Sequence, residues 1–179
     1  VRAIELILSS STQDHFPLIV QIETARGVDA AMEIGAASAN VSALLFGAID
    51  LAAEIGCAVE WDALLYSRSK VVLAATAAGI GAIDAPYMDV AALEALGDES
   101  RRSRRLGFVG KVAIHPHQVP VIQDSFSPTD EEVAWARKVV AAYEAQKGGV
   151  LLLDGKLIER PVVLAAQRTL LASQIDSED

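Results

Sequence analysis

Two acids could do chemistry together. Leu18-Ile-Val-Gln-Ile22 is an apolar run of strand length and is followed by Glu23; Val41–Phe46 is a second such run, and the turn after it carries Asp50. A helical pattern follows each. Neighbouring strands of a parallel sheet lie roughly 5 Å apart, so acids at their carboxyl ends converge on one small volume. Two close carboxylates repel unless a cation or a proton sits between them. Two oxygen ligands, with positions left for water and substrate, suit Mg²⁺. A structural account competes: Asp50 as an N-cap and Glu23 as a first-turn acid favoured by the helix dipole.

Gly47-Ala48-Ile49 leads into Asp50. Backbone N–H groups at a strand-to-helix turn can hold a carboxylate, although a tight turn that needs glycine accounts for the triplet as well. His115-Pro116-His117 has the look of a metal motif. Pro116 breaks the strand and no cysteine or third histidine lies near, which argues against zinc. The basic run Arg101-Arg-Ser-Arg-Arg105 reads as a solvated helix face, or else as a dock for the phosphates of a nucleotide-like tail. Glu159, just ahead of the last helical pattern, is a surface acid at a helix N-terminus or an acid delivered to the site.

The elements that must position these residues follow from pattern. Val1–Leu8 reads as the tail of a helix without an N-cap, and the chain opens on Val rather than Met, so it is expected to begin mid-domain. Ser9–His15 is a polar loop. The spacing predicts strands at Leu18–Ile22, Val41–Phe46, Gly81–Ala85 and Lys111–Ile114. The first is continuously apolar, as a strand buried on both faces would be. Helices are expected over Gly27–Ala37 (burying Val28, Ala31, Met32 and Gly35), Asp50–Glu54, Trp61–Ala78 and Asp89–Leu106, the last capped by Asp89. Four strand–helix repeats indicate an α/β fold with a parallel sheet, either open or half of a (β/α)₈ barrel. Residues 1–125 form that part. Residues 126–179 lack the rhythm: a capping box at Thr129–Glu132 opens a helix with Val133, Ala136, Val140 and Tyr143 on one stripe, ended by Gly148-Gly149. Asp154-Gly155 turns a small hairpin, and Pro161 sits in the first turn of a closing helix. This segment reads as an arm or lid.

Composition bounds the rest. The chain has 179 residues, is 52% hydrophobic and carries a net charge of −9. Such a surface repels phosphate backbones, so nucleic acid is not an expected partner. The single cysteine, Cys57, cannot form an internal disulfide, which fits a reducing, cytoplasmic setting. No apolar run approaches the roughly 18 residues of a membrane span.

Taken in order, the motifs resemble the aldolase/citrate lyase family, in particular its citrate lyase beta-subunit-like members, which include malyl-CoA and citramalyl-CoA lyases. The stretches that carry the resemblance are Ile22-Glu-Thr24 with Gly27, Phe46-Gly-Ala-Ile-Asp-Leu51, Tyr66-Ser-Arg-Ser69, Ala82-Ile-Asp-Ala-Pro-Tyr87, Leu106-Gly-Phe-Val-Gly-Lys111, Ala113-Ile-His-Pro116, Phe126-Ser-Pro-Thr129 and Asp154-Gly-Lys-Leu-Ile-Glu-Arg-Pro161. The resemblance implies a TIM barrel of the phosphoenolpyruvate-utilising type, of which this chain is the second half. It implies Glu23 and Asp50 as Mg²⁺ ligands, Gly47, Ala48, Ile49 and Asp84 as substrate-binding residues, and Glu159 as the acid that protonates a thioester enolate from a neighbouring subunit's arm. The activity implied is Mg²⁺-dependent cleavage of a 3-hydroxyacyl-CoA into acetyl-CoA and a 2-keto acid. Thioester hydrolysis at the same metal, or Mg²⁺ and keto-acid binding without turnover, are the other readings. A homo-oligomer, a trimer in the family, is implied too. The sequence departs from the family pattern in three ways: Glu159 stands for Asp, Ile49 for a common Glu, and an Arg of the early strands has no counterpart. A half barrel would expose sheet edges, so the chain alone is expected to aggregate or to dimerise.

Overall fold

The computed structural model describes residues 1–9, 16–146 and 149–175. The polar loop after Ser9 and Gly148 therefore lie outside the described residues, while Ser9 itself closes the first helix. The chain divides into two units, Val1–Phe126 and Ser127 onward.

The first unit is built on a parallel four-stranded sheet: β1 (Leu18–Ile22), β2 (Val41–Phe46), β3 (Gly81–Asp84) and β4 (Gly110–Lys111), in that spatial order. Each strand lies beside the one before it in sequence, the order a βα repeat produces when every crossover turns the same way. The helices are α1 (Arg2–Ser9), α2 (Ala25–Asp29), α3 (Ala31–Gly35), α4 (Ala48–Ile55), α5 (Trp61–Ala78), α6 (Leu93–Leu106) and α7 (Gln118–Phe126). Leu44 and Phe46 of β2 and Ala82 of β3 pack on Leu64, Val71, Ala74 and Ala75 of α5, forming the main core.

Several expectations change. The helix expected over Gly27–Ala37 is two short ones, broken at Ala30 (φ −89°, ψ 10°); Met32, expected inside, is exposed. β1 is not buried on both faces: Ile19 is 60% exposed, and Gln21 shares its face. The helix expected from Asp89 begins at Leu93, and Asp89 instead accepts a hydrogen bond from the Ala91 N–H in a local turn. β4 stops at Lys111 rather than Ile114, because the Ile114 N–H is claimed by Gln118 Oε1 (2.9 Å) instead of a strand partner. That same glutamine begins α7, a helix the apolar pattern did not announce.

The second unit contains α8 (Asp130–Ala145), a hairpin of β5 (Leu151–Leu153) and β6 (Lys156–Ile158), and α9 (Arg160–Ile175). Both halves of the Thr129–Glu132 capping box are made. Asp154 and Gly155 both have positive φ (49° and 76°), as a type I′ turn requires. Ala136 and Val139 of α8, Ile158, and Val163 and Ala166 of α9 form a separate small core.

Candidate active site

The carboxyl ends of β1 and β2 lie side by side. Ile22 is in register with Phe46, and the Gly47 N–H donates to the Ile22 carbonyl (2.9 Å), so the ladder runs one step past the strands. Glu23 therefore sits beside Gly47. The approach is close: a Cβ built on Gly47 would overlap the Cβ of Glu23 and stand 3.1 Å from its Cα. Glycine is needed here for space, since the backbone (φ −95°) suits any residue.

Neither acid is used as the structural account proposed. Helix α4 starts at Ala48 with Gly47 as its N-cap, so Asp50 projects from the first turn without capping it. Helix α2 is capped by the Thr24 hydroxyl, which accepts from the Gly27 N–H; Glu23 precedes that cap and lies outside the helix. Glu23 is half-buried and its Oε2 accepts from Gln21 Nε2 (2.6 Å), while Asp50 is exposed. Glu54, one turn beyond Asp50, accepts the Ala25 N–H (2.6 Å) and so ties α4 to the segment after β1. The two acids supply hard oxygen donors on adjacent strand–helix turns, with open positions around Asp50. That set fits a cation which keeps waters or substrate oxygens in its shell. Among the described residues no cluster of three or more Asp, Glu, His or Cys side chains forms an all-protein cage.

Ala48 and Ile49 also line a cavity of about 440 Å³ with Val59, Arg68, Glu99 and the Pro86–Asp89 segment that follows β3. Asp84, expected to touch substrate, does something else. It has no exposed surface. Its Oδ1 accepts from Arg68 Nε (3.0 Å), and its Oδ2 accepts from Lys111 Nζ (2.8 Å) and the Ser103 hydroxyl. Lys111 also donates to Glu99 Oε1 (2.7 Å). Burial alone would push the Asp84 carboxyl up. The charges of Lys111 and Arg68, with hydrogen bonds from Lys111 and Ser103, outweigh it and hold the group below the usual carboxylate range. Asp84 is thus the centre of a buried charge network beneath the cavity wall.

Arg68 was the residue not recognised. Its guanidinium is buried over Phe46 (5.1 Å to the ring centroid) and Trp61 (4.8 Å), and Trp61 carries Arg102 as well (4.5 Å). The signal was in the sequence. Arg68 falls on the stripe of Val71, Val72 and Ala75, where a charge needs a buried partner.

Glu159 belongs to the second unit, exposed, at the β6–α9 junction; its carbonyl accepts the Val162 and Val163 N–H groups that open α9. His115 and His117 contact each other edge to face, 4.7 Å between ring centroids. Arg101 and Arg102 pair with Asp98 and Asp62 on the surface, as a solvated helix face would.

Comparison with known proteins places this geometry among relatives. The family model described as HpcH/HpaI aldolase/citrate lyase matches residues 3–116. The citrate lyase subunit beta-like protein of Mycobacterium tuberculosis is 36% identical over 160 residues, covering 86% of this chain and 58% of that protein. The mitochondrial citramalyl-CoA lyase of Homo sapiens is 37% identical over 141 residues, covering 75% and 42%. The chain thus spans about half the length of these curated relatives. Among solved structures, protein CitE of Mycobacterium tuberculosis in complex with magnesium, acetoacetate and coenzyme A superposes with a TM-score of 0.79 at 34% identity, over 88% of this chain and 61% of that one.

Proposed function

Because this chain belongs to the HpcH/HpaI aldolase/citrate lyase family, we propose that it forms part of a Mg²⁺-dependent carbon–carbon lyase acting on a CoA thioester of a 3-hydroxy acid, of the citramalyl-CoA or malyl-CoA kind. The observation that carries this reading is the pair Glu23 and Asp50: two acids on adjacent strand–helix turns, neither used as a helix cap. Glu23 and Asp50 would hold the ion, and when bound it would supply charge stabilisation to the oxygens of the keto-acid half.

The chain's own groups do the rest. The Gly47–Ile49 turn orients the acid's carboxylate. As the 3-hydroxyl gives up its proton to water and becomes the keto oxygen, the carbon–carbon bond breaks and its electron pair passes to the carbon next to the thioester carbonyl, where Glu159 donates the proton that completes acetyl-CoA. As the family resemblance implies, a neighbouring copy's arm would bring Glu159 to the site, and the enzyme would work as a homo-oligomer. A longer side chain than Asp at that position moves the acid by about one bond, and a displacement of about 1 Å can cost roughly 10²-fold.

The test is turnover. Full-length protein is mixed with citramalyl-CoA or malyl-CoA, with and without Mg²⁺, and pyruvate or glyoxylate is followed. Keto-acid release that needs Mg²⁺ and is lost in Glu23→Ala is expected. Release of free CoA without acetyl-CoA would replace the lyase with a thioesterase, and calorimetric binding of Mg²⁺ and keto acid without product would replace it with a binding protein.

A further inference from the structure

Two carboxylates on adjacent turns repel, so their surroundings must hold them before a cation does. The backbone ladder between β1 and β2 ends at the bond from the Gly47 N–H to the Ile22 carbonyl, one residue short of Glu23. Two side-chain contacts continue past it. The first is local. Gln21 and Glu23 are two residues apart and share the face of β1, and Gln21 Nε2 donates to Glu23 Oε2 (2.6 Å). The same amide lies against the turn that opens α4: a Cβ on Gly47 would stand 3.1 Å from Nε2. With Oε2 engaged, the carboxylate is ordered before any ion arrives and Oε1 is the oxygen left to it. Carboxylates that bind metals are commonly held this way by a partner behind them.

The second contact crosses from one turn to the other. Glu54 stands four residues after Asp50, on the same face of α4. Its Oε2 accepts the N–H of Ala25 (2.6 Å), two residues after Glu23. Ala25 opens α2, and the first N–H groups of a helix find no partner inside it. Glu54 thus spends a carboxylate oxygen on backbone and ties the face of α4 that carries Asp50 to the segment that carries Glu23. Gln21 and Glu54 are both exposed, so neither is needed to fill the core.

We propose that Gln21 and Glu54 are positioning residues for the metal pair: Gln21 fixes the orientation of the Glu23 carboxylate, and Glu54, through the Ala25 N–H, fixes the spacing of Glu23 and Asp50. The inference rests on the reading of these two acids as the ligands, and the experiment separates the two claims. Full-length protein is titrated with Mn²⁺ alone, standing in for Mg²⁺, with the free ion followed by electron paramagnetic resonance; each variant is also unfolded in urea. Glu23→Ala and Asp50→Ala test the ligands and should abolish binding. Gln21→Met keeps the length of the side chain without its donor, and Glu54→Ala removes the tie; each should weaken Mn²⁺ binding about tenfold, as loss of a partner behind a ligand does. Glu54→Gln keeps an oxygen that can accept the Ala25 N–H and should bind close to wild type. Wild-type affinity in Gln21→Met or in Glu54→Ala, with binding still lost in the ligand variants, would overturn the proposal and leave the metal pair standing, even if urea stability had fallen. A loss in Glu54→Gln as large as in Glu54→Ala would make charge rather than position the role of Glu54 and overturn the proposal too. No binding by the unchanged protein, or undiminished binding in Glu23→Ala or Asp50→Ala, would remove the metal pair itself and the proposal with it.

Discussion

Replacing Asp84 by Asn changes one atom and removes one charge from the interior. Asp84 faces Arg68 at 3.0 Å and Lys111 at 2.8 Å, and all three are under a tenth exposed. With the carboxylate gone, the two cations keep only Glu99, and the group carries a net positive charge away from water. The new amide nitrogen also meets a donor whichever way it turns, Lys111 and Ser103 on one side or Arg68 on the other. Breaking a buried pair by removing one partner costs about 3–5 kcal/mol, which in a chain of this size lowers Tm by roughly 10 °C. Urea unfolding followed by circular dichroism gives the free energy. The companion variant Lys111→Met removes the cation instead, and the double variant Asp84→Asn/Lys111→Met should cost less than the two single changes added, by about 1–3 kcal/mol. Additivity within 0.5 kcal/mol, on the order of the error for independent sites, would refute the view that Asp84 is the counter-charge holding Lys111 in place.

Other outcomes follow from the same geometry. Asp84 is held below its ordinary range in the fold; a depressed acid contributes stability that is present above the unfolded value of about 3.9 and is lost as pH falls through the folded one. Unfolding monitored below pH 4 should therefore show a loss that Asp84→Asn lacks. Thr129→Ala removes the hydroxyl that accepts the Glu132 N–H and one half of the capping box, and should lower the stability of the second unit by about 1 kcal/mol, read by urea titration. Gly47→Ala would press a methyl into Glu23; turnover should fall about 10²-fold or more while stability changes by about 1–3 kcal/mol, so an active Gly47→Ala enzyme would separate Glu23 from the chemistry.

How much of this was legible in the sequence depends on what each residue's neighbours had to supply. The strands Leu18–Ile22 and Val41–Phe46 and helix Trp61–Ala78 were readable to the residue, because apolar runs and glycine stops are local signals. The Asp154-Gly155 turn and the Thr129 cap were readable for the same reason. β4 was overdrawn and α7 missed because one side chain decided both: Gln118 Oε1 accepts from the Ile114 N–H, and its Nε2 donates to the carbonyl of Tyr87, far off in sequence. Asp84 was expected in the site because the family resemblance implies it there, yet the two cations that bury it come from α5 and β4, which no local pattern joins to β3.

The corrected position of Asp84 changes how the site is understood. An acid in contact with substrate would have to release it; an acid enclosed by Arg68, Lys111 and Ser103 holds them. Arg68 comes from α5 and Lys111 from β4, so one carboxylate on β3 ties that helix and that strand together. Burial of three charges gives little net stability on its own. What it secures is orientation, since Arg68 cannot turn without breaking its bond to Asp84 and leaving both Phe46 and Trp61. Glu23 and Asp50 and the closed network around Asp84 thus lie at the carboxyl ends of neighbouring strands. Neither acid of the first pair caps a helix, and the second is satisfied internally except for Arg68 Nη1, which has no hydrogen-bond partner among the described residues.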